Sequence, residues 1–292
     1  MKIRTALCAS TTAVALALSM GVGVANAAPV IPTKYYACTN SGIISNFATT
    51  PHACPAGTTK VSGDLKGANL ANAQLRRIRL QGANLQDSNF SHADVSHANL
   101  KAVFLKRANF SGAHLAGTTI YKAYLRSSIF TDANLMGADL SGDNLKEANF
   151  VRAELWGANM TETQAQGANF TNANFTGATL DGTDLATSIL VGVHSGGVLG
   201  RPNLPGGWKL KAGYLLGPRA NLAEANLSNL VLRGVSLQGA TMNGVNLHKA
   251  KFIGANLRGA VLTGAKLSGV FYDGATVCPN GKKFSQGGNC PS

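Results

Sequence analysis

Acidic residues are scarce in this 292-residue sequence, where 13 Asp and Glu stand against 26 Lys and Arg and the net charge is +13. A mimic of a polyanion needs the opposite balance, so the composition argues against one and favours anionic partners. Glycine, at 34 residues, is far below the one third that collagen requires. Apolar residues reach 45%, which is too many for an ordinary disordered chain.

Long apolar runs are confined to the start of the chain. Lys2 and Arg4 precede an apolar stretch over residues 6–24, and Ala25-Asn26-Ala27 has the small-x-small pattern of a cleavage site. This arrangement predicts a secretory signal peptide over residues 1–27, cleaved near Ala27-Ala28. A membrane anchor is the alternative for this stretch. No later segment has eighteen uninterrupted apolar residues, so we expect no membrane span in the mature chain. The mature protein, with a charge of +11, is predicted to be secreted, extracellular or held at the cell wall.

Cysteine is also scarce, and an even number remains after cleavage. Cys8 leaves with the signal peptide, and the remaining residues are Cys38, Cys54, Cys278 and Cys290. An even count in an exported chain favours disulfides. Of three connectivities we favour Cys38–Cys54 and Cys278–Cys290, since these pairs lie at opposite ends of the chain, and each is worth about 3 kcal/mol. A zinc site is the alternative, but no CxxC or HxxxH spacing supports it, so we predict no metal and no cofactor.

A repeat of five residues occupies most of the remaining sequence. From Leu65 to Leu190 every fifth residue is apolar, with Ala165 the one exception to Leu, Phe, Val, Ile or Met. The residue two places earlier is small except at Ile78, Val103 and Asp143. The unit is Ala-Asn-Leu-x-Gly or a near relative, and its phase returns from Leu222 to Leu267. A period of five matches neither an α-helix nor an ordinary β-strand.

This motif resembles the pentapeptide-repeat family, and in particular its exported actinobacterial members. The resemblance covers residues 63–192 and 220–279 and implies an all-β fold, a right-handed quadrilateral β-helix with four pentapeptides per coil. The sequence supports a 20-residue coil independently, because one Phe recurs at that interval: Phe90, Phe110, Phe130, Phe150 and Phe170. Asp143 interrupts the inward column of small residues, so it is expected either to be hydrogen-bonded there or to distort its coil.

The predicted organisation has disulfide-stapled caps at both ends, because an open β-helix end exposes strand edges. The segments are a signal peptide (1–27), an N-terminal Cys-containing cap (28–62), a first repeat block (63–192), an inserted loop or hairpin (193–219), a second block (220–277) and a C-terminal Cys-containing cap (278–292). The insert resembles the Leu-Pro-x-Gly-Trp, Gly-Tyr-Leu and Gly-Pro signature of such exported proteins. We predict a small hairpin over Trp208–Leu216 that turns at Ala212-Gly213.

Outward positions on one side of the coil combine basic and aromatic residues, and we call this surface the basic–aromatic face. Its members are Lys66, Phe104, Lys106, Arg107, Lys122, Tyr124, Arg126 and Lys146. Lys106, Arg126 and Lys146 are expected about 4.8 Å apart, one per coil. Cations interleaved with exposed aromatics are typical of sites for anionic polymers. The alternative is a solvated face in which Asp87 pairs with Arg107.

Four further residues are predicted to make apolar contacts with a protein or a sugar: Met136, Trp156, Trp208 and Tyr214. A structural role in the insert is the alternative for the last two. We also expect Asp132 to pair with Arg152, one coil apart.

No nucleophile elbow, phosphate loop or HExxH motif is present, so we predict no catalytic residues and no enzyme activity. The predicted function is that of a non-enzymatic exported structural or interaction protein. The alternative is an extracellular binder of an anionic polymer, whether a wall polymer, an acidic glycan or a nucleic acid. Topoisomerase protection by DNA mimicry, implied by some members of the family, and a secreted enzyme are further alternatives. The partner is expected to be an unknown protein or an anionic cell-envelope polymer, with self-association left open.

Overall fold

The computed structural model describes the backbone of three N-terminal strands, and describes residues 65–285 and Cys290 in full. The strands β1 (Tyr35–Asn40), β2 (Ile43–Ala48) and β3 (Thr59–Gly63) form an antiparallel sheet in the order β2-β1-β3. This sheet precedes the first coil along the chain. The predicted signal peptide and the predicted Cys38–Cys54 pairing lie outside the described residues.

Residues 65–285 form the predicted right-handed quadrilateral β-helix. Parallel bridges join residues 20 positions apart, as in the series Asn69, Asn89 and Asn109. Each side of the coil is a short extended segment, and its ends bond to the neighbouring coils; the Phe110 N–H, for example, donates to the Ile129 carbonyl at 2.7 Å. A turn closes each corner, where the Ala113 N–H donates to the Phe110 carbonyl at 3.0 Å. The 20-residue coil inferred from the Phe spacing is therefore confirmed.

The four sides of the coil are numbered here by their inward central residues. Side 1 contains Phe110, side 2 Leu115, side 3 Ile120 and side 4 Leu125, and all four side chains are fully buried. The residues immediately before and after each centre point outward, because side chains alternate along an extended segment. Side 4 is therefore the side that displays the basic–aromatic face.

The corner residue, two positions after each centre, has a left-handed backbone. Gly112 has a φ of 64°, but Arg107 has 58° and Glu147 has 62°. This conformation costs a residue with a Cβ roughly 1–2 kcal/mol, so packing between coils must offset it. The corner side chains of successive coils lie one above the other, and this places oppositely charged residues 20 positions apart in contact.

The interior of side 1 is an aromatic ladder. The rings of Phe90, Phe110, Phe130, Phe150 and Phe170 follow one another at centroid distances of 4.6–5.0 Å, with interplanar angles between 2° and 15°. Parallel stacking follows from the parallel backbone register, because identical residues with identical rotamers repeat at the strand spacing. The ladder fixes the coil register along most of the first block.

Asp143 is hydrogen-bonded within the core. Its Oδ1 accepts a hydrogen bond from the Ala123 N–H at 2.7 Å. At other corners the equivalent N–H donates to a carbonyl of its own turn, as the Ala113 N–H does to Phe110. The other oxygen, Oδ2, is buried without a hydrogen-bond partner. Burial, with a further contribution from nearby Asp139, raises the pKa of Asp143 well above its ordinary value, although the Ala123 bond opposes this. Of the two expected outcomes, hydrogen bonding is the one that occurs.

Replacing Asp143 with alanine is expected to stabilise the protein at pH 7 by about 1–3 kcal/mol, the cost of burying an unsatisfied polar group. Because the folded-state pKa is raised, the folded protein binds the proton more tightly, and wild-type stability falls as pH rises above about 4. The D143A variant lacks this dependence, so its advantage should vanish near pH 4. Denaturant unfolding of both proteins between pH 4 and pH 8 measures the difference, and parallel pH profiles would contradict the prediction.

The insert changes the length of one coil without ending the β-helix. In a regular coil, bridged residues are 20 positions apart along the chain. This separation is shorter between Asp184 and Asn203, and longer between His194 and Asn221. The extra residues form the predicted hairpin, whose strands β4 (Lys209–Lys211) and β5 (Tyr214–Leu216) pair antiparallel. Ala212 and Gly213 have φ of 48° and 79°, the two positive angles of a tight type I′ turn.

The hairpin lies between the last coil of the first block and the first coil of the second. Sides 1 and 2 keep direct contact, since the Gly192 N–H donates to the Arg219 carbonyl at 2.8 Å. On side 3 the hairpin supplies the bonds instead: the Val198 N–H donates to the Gly213 carbonyl at 3.0 Å, and the Asn226 N–H donates to the Tyr214 hydroxyl at 3.1 Å. The second block therefore continues the stack of the first.

The second block ends in a disulfide-linked segment. Its side 4 carries three parallel strands, β6 (Val231–Arg233), β7 (Lys251–Ile253) and β8 (Phe271–Tyr272). Val277 bridges Asn256 on side 1, so Cys278 takes the inward central position. Cys278 and Cys290 form the predicted disulfide, with their Cα atoms 5.2 Å apart.

Candidate functional site

The basic–aromatic face is centred on two exposed rings. Phe104 and Tyr124 lie one above the other on side 4, with centroids 4.9 Å apart and planes within 5° of parallel. Bridges from Asn84 to Phe104, Tyr124 and Asn144 set this spacing. The two residues are 40% and 53% exposed, so about half of the stack is accessible to a ligand. Exposed aromatic rings can contact a base, a sugar ring or another planar group.

Two arginines of the face are paired with carboxylates. Arg107 makes a two-pronged ion pair with Asp87, with N–O distances of 2.6 and 2.8 Å. Arg126 donates to Glu147 at 2.7 Å, and Ser127 donates to the same carboxylate at 3.0 Å. The Asp87 pair was predicted, whereas the predicted row of three like charges is interrupted at its centre, because Glu147 neutralises Arg126 from the next coil.

These contacts account for the pKa values of the carboxylates. The Arg107 hydrogen bond lowers the pKa of Asp87 against a smaller opposing effect of burial, and the charges of Arg107, Lys66 and Lys106 lower it further. The hydrogen bonds from Arg126 and Ser127 lower the pKa of Glu147, and the charge of Lys106 adds to them. Both carboxylates are therefore ionised at neutral pH, and they reduce the positive potential of the face.

Sequence reasoning missed a cation–aromatic cluster at the edge of the face. The ammonium of Lys101 lies 5.1 Å from the centroid of the Tyr121 ring, and that of Lys122 lies 5.0 Å from it. Hydrogen bonding to the Tyr121 hydroxyl raises the pKa of Lys122. The signal was present in the sequence, because Lys101 and Tyr121 are separated by one full coil and are therefore adjacent. Lys122 is thus held at the corner between sides 3 and 4.

The remaining cations of the face sit around the rings. Lys66 and Lys106 are exposed, and Lys146 is half-buried. The predicted pair of Arg152 and Asp132 forms at 2.6 Å, away from the rings. The face therefore combines an aromatic stack with lysines, while its arginines serve mainly to join neighbouring coils.

The predicted apolar contact residues fall into two groups. Trp156 is 53% exposed and lies beside Gly177 of the next coil, while Met136 is half-buried one coil earlier. Trp208 and Tyr214 are half-buried at the hairpin junction, where Trp208 packs against the cores of both blocks. These contacts support a structural role for Trp208 and Tyr214 in the insert.

Within the described residues, no helix is long and apolar enough to cross a membrane. In the same part of the chain, no group of three or more His, Cys, Asp or Glu side chains is placed to hold a metal ion. The coil axis is filled by side chains, as at Phe110, Ala113 and Leu115, which are all 0% exposed.

One protein family matches this chain, and several solved structures are similar to it. The family described as pentapeptide repeats matches in eight copies, over residues 64–101, 105–142, 148–186, 219–252 and 242–271. HetL, a pentapeptide repeat protein involved in heterocyst differentiation regulation in the cyanobacterium Nostoc sp. strain PCC 7120, is 29% identical, with 74% of this chain and 91% of that chain covered and a TM-score of 0.42.

Two further solved structures are also similar. Rfr23 of the cyanobacterium Cyanothece 51142 is 28% identical over 37% of this chain and 91% of its own, with a TM-score of 0.31. A pentapeptide repeat protein of the Arabidopsis thaliana thylakoid lumen is 32% identical over 39% of this chain and 65% of its own, with a TM-score of 0.28. Comparison with curated proteins finds no match.

Proposed function

The chain belongs to the pentapeptide-repeat family, and from that premise we propose that it is a non-enzymatic, exported interaction protein. The observation that carries the proposal is the division of each repeat into two inward positions and three outward ones. The inward residues are buried along most of both blocks and form the core that supports the outward ones. The outward residues are free to vary, and a rigid array of this kind suits binding to an extended partner.

Export is the part of the proposal that a direct experiment tests first. We expect the full chain, expressed in a bacterial host with a C-terminal tag, to leave the cytoplasm and to begin at Ala28 by intact mass. The matched variant A25L/A27L removes the small residues of the cleavage site and should keep the signal segment. A cytosolic wild-type protein that still begins at Met1 or Lys2 would contradict export.

The exposed stack of Phe104 and Tyr124 favours a second candidate function, binding of an anionic polymer through the basic–aromatic face. The two exposed rings offer aromatic contacts to planar groups, and Lys106 and Lys146 supply positive charge on the same side. The proposal rests on the rings more than on the arginines, because Arg107 and Arg126 are already paired.

The double variant F104A/Y124A is expected to bind single-stranded oligothymidine about tenfold more weakly than the wild type, since stacking is worth about 1–3 kcal/mol per base. The matched control is I129A/I189A, which removes two exposed apolar side chains from side 1 and should leave affinity unchanged. Fluorescence anisotropy at two salt concentrations measures both. Equal affinity of wild type and F104A/Y124A would exclude the rings as the site.

A further inference from the structure

The net positive charge of the protein is concentrated in its second half. Residues 64–198 contain eleven Lys and Arg and eleven Asp and Glu, so the first block is balanced. Residues 199–292 contain eleven Lys and Arg but only two acidic residues, Glu224 and Asp273. The excess positive charge that suggested an anionic partner therefore does not lie in the block that carries the basic–aromatic face.

The second block also differs from the first in its ion pairs. Within the described residues there are four salt bridges, and all four lie in the first block: Arg76–Asp94, Arg107–Asp87, Arg126–Glu147 and Arg152–Asp132. Neither acidic residue of the second block takes part in these ion pairs, and Asp273 directly follows Tyr272 of β8 on side 4. Glu224 follows side 2 and lies against Gly244, and Asp273 accepts the Gly254 N–H and the Thr276 hydroxyl, each at 2.8 Å.

Five cations of the hairpin and the second block, all exposed, lie on side 4, at the two corners that bound it, and on the neighbouring side 3. We call this surface the second-block cationic edge, and its members are Lys209, Arg233, Lys249, Lys251 and Lys266. Lys251 lies in β7, in register between Val231 of β6 and Phe271 of β8. Its side chain therefore stands on the outer surface of side 4, with apolar neighbours on both flanks.

The other members lie at the two corners that bound side 4 and on side 3. The ammonium of Lys209 donates to the Arg233 carbonyl at 2.9 Å, so β4 adds its charge to that of β6. Lys249 occupies the corner, and its aliphatic stem lies over Gly269 of the next coil. Lys266 bridges Asn246 on side 3, one coil beyond. The cations span three coils, about 10 Å along the axis.

We infer that the second-block cationic edge binds a linear polyol phosphate, a phosphodiester polymer whose repeats carry no bases. Four of its five cations are lysines, which bind phosphate as point charges and need no planar acceptor. Its one exposed ring is Phe271, whereas a nucleic-acid site of this kind has several stacking platforms. This inference goes beyond the proposed function, because an interaction protein requires no such site.

Binding of the mature wild-type protein to a poly(glycerol phosphate) of about twenty repeats tests the inference. We expect affinity to fall with salt, with a log–log slope of about −3 for four contacts. The variant K249Q/K251Q/K266Q should lose at least about tenfold in affinity, with a shallower slope. The variant K106Q/K122Q/K146Q makes the same change in net charge on the basic–aromatic face, so it compares the two surfaces directly, and the inference requires it to lose less affinity than K249Q/K251Q/K266Q.

Oligothymidine of equal phosphate number and heparin serve as comparison ligands. The inference requires that the second-block variant lose more affinity for poly(glycerol phosphate) than for either. If the two triple variants lost the same affinity for poly(glycerol phosphate), the effect would come from net charge alone, and the inference would be overturned. A loss confined to the K106Q/K122Q/K146Q variant would move the site to the basic–aromatic face, and the proposed function would stand. No binding by the wild type would overturn the inference and leave the export experiment unaffected.

Discussion

Replacing Phe130 with alanine is expected to lower the free energy of unfolding by about 3–5 kcal/mol. Phe130 is fully buried on side 1, between Phe110 at 5.0 Å and Phe150 at 4.6 Å. Removing the ring leaves a cavity in the middle of the ladder, and its neighbours cannot close it because backbone hydrogen bonds fix the coil spacing. Equilibrium denaturation followed by circular dichroism measures the loss.

The conservative variant F130L separates ring stacking from simple filling of the space. Leu70 and Leu190 occupy the same column at its two ends, so the backbone accepts leucine there. We expect F130L to cost less than about 1.5 kcal/mol. If F130A were no more destabilising than F130L, the ladder would not be a packed core, and the assignment of side 1 would be wrong.

The coil was predictable because its period is imposed by packing. An inward residue at every fifth position and one Phe at every twentieth position are sufficient to define four sides and a stacking interval. Corner ion pairs followed from the same interval, as Asp87 with Arg107 and Asp132 with Arg152 show. Periodicity reports contacts between equivalent positions, and these are the contacts that a solenoid repeats.

The junction was not predictable in the same way. The long step from His194 to Asn221 arises from one shortened side and a hairpin inserted after side 4, and no repeat encodes either change. The hairpin itself could be anticipated from Ala212-Gly213, a turn pair with positive φ at both positions. Its position between the coils depends on tertiary contacts such as that of Tyr214 with Asn226.

The site was predicted in part, for a related reason. Stacking of Phe104 on Tyr124 is a contact at the regular coil interval and was foreseen. Arg126 reaches past the equivalent position of the next coil to Glu147, so the pair joins two different positions of the repeat. Comparing residues exactly one coil apart in the sequence therefore does not reveal it. Net charge counted over the whole chain hid the balance of the first block and the excess of the second.

Replacing Gly217 with alanine is expected to destabilise the protein by about 2–3 kcal/mol, the usual cost of overpacking a core. Gly217 starts the first side of the second block, and a Cβ at this position would overlap the six-membered part of the Trp208 indole. Its φ is not in the left-handed region, so the backbone itself accepts alanine and the effect is steric. Gly206 is the matched control, since it lies two residues before Trp208 with nothing within 4 Å of its Cβ position; G206A should stay within about 0.5 kcal/mol of wild type.

A double-mutant cycle then identifies the Trp208 ring as the cause. W208A alone is expected to cost about 3 kcal/mol, because the indole packs against the cores of both blocks and its loss leaves space at the junction. In W208A/G217A the added methyl group no longer overlaps the indole, so the double variant should be about as stable as W208A. The loss of stability in the double variant should therefore be about 2 kcal/mol smaller than the sum of the two single losses. Additive losses would mean that Trp208 does not lie on Gly217. The hairpin would then be a surface appendage, and the two blocks would need another connection.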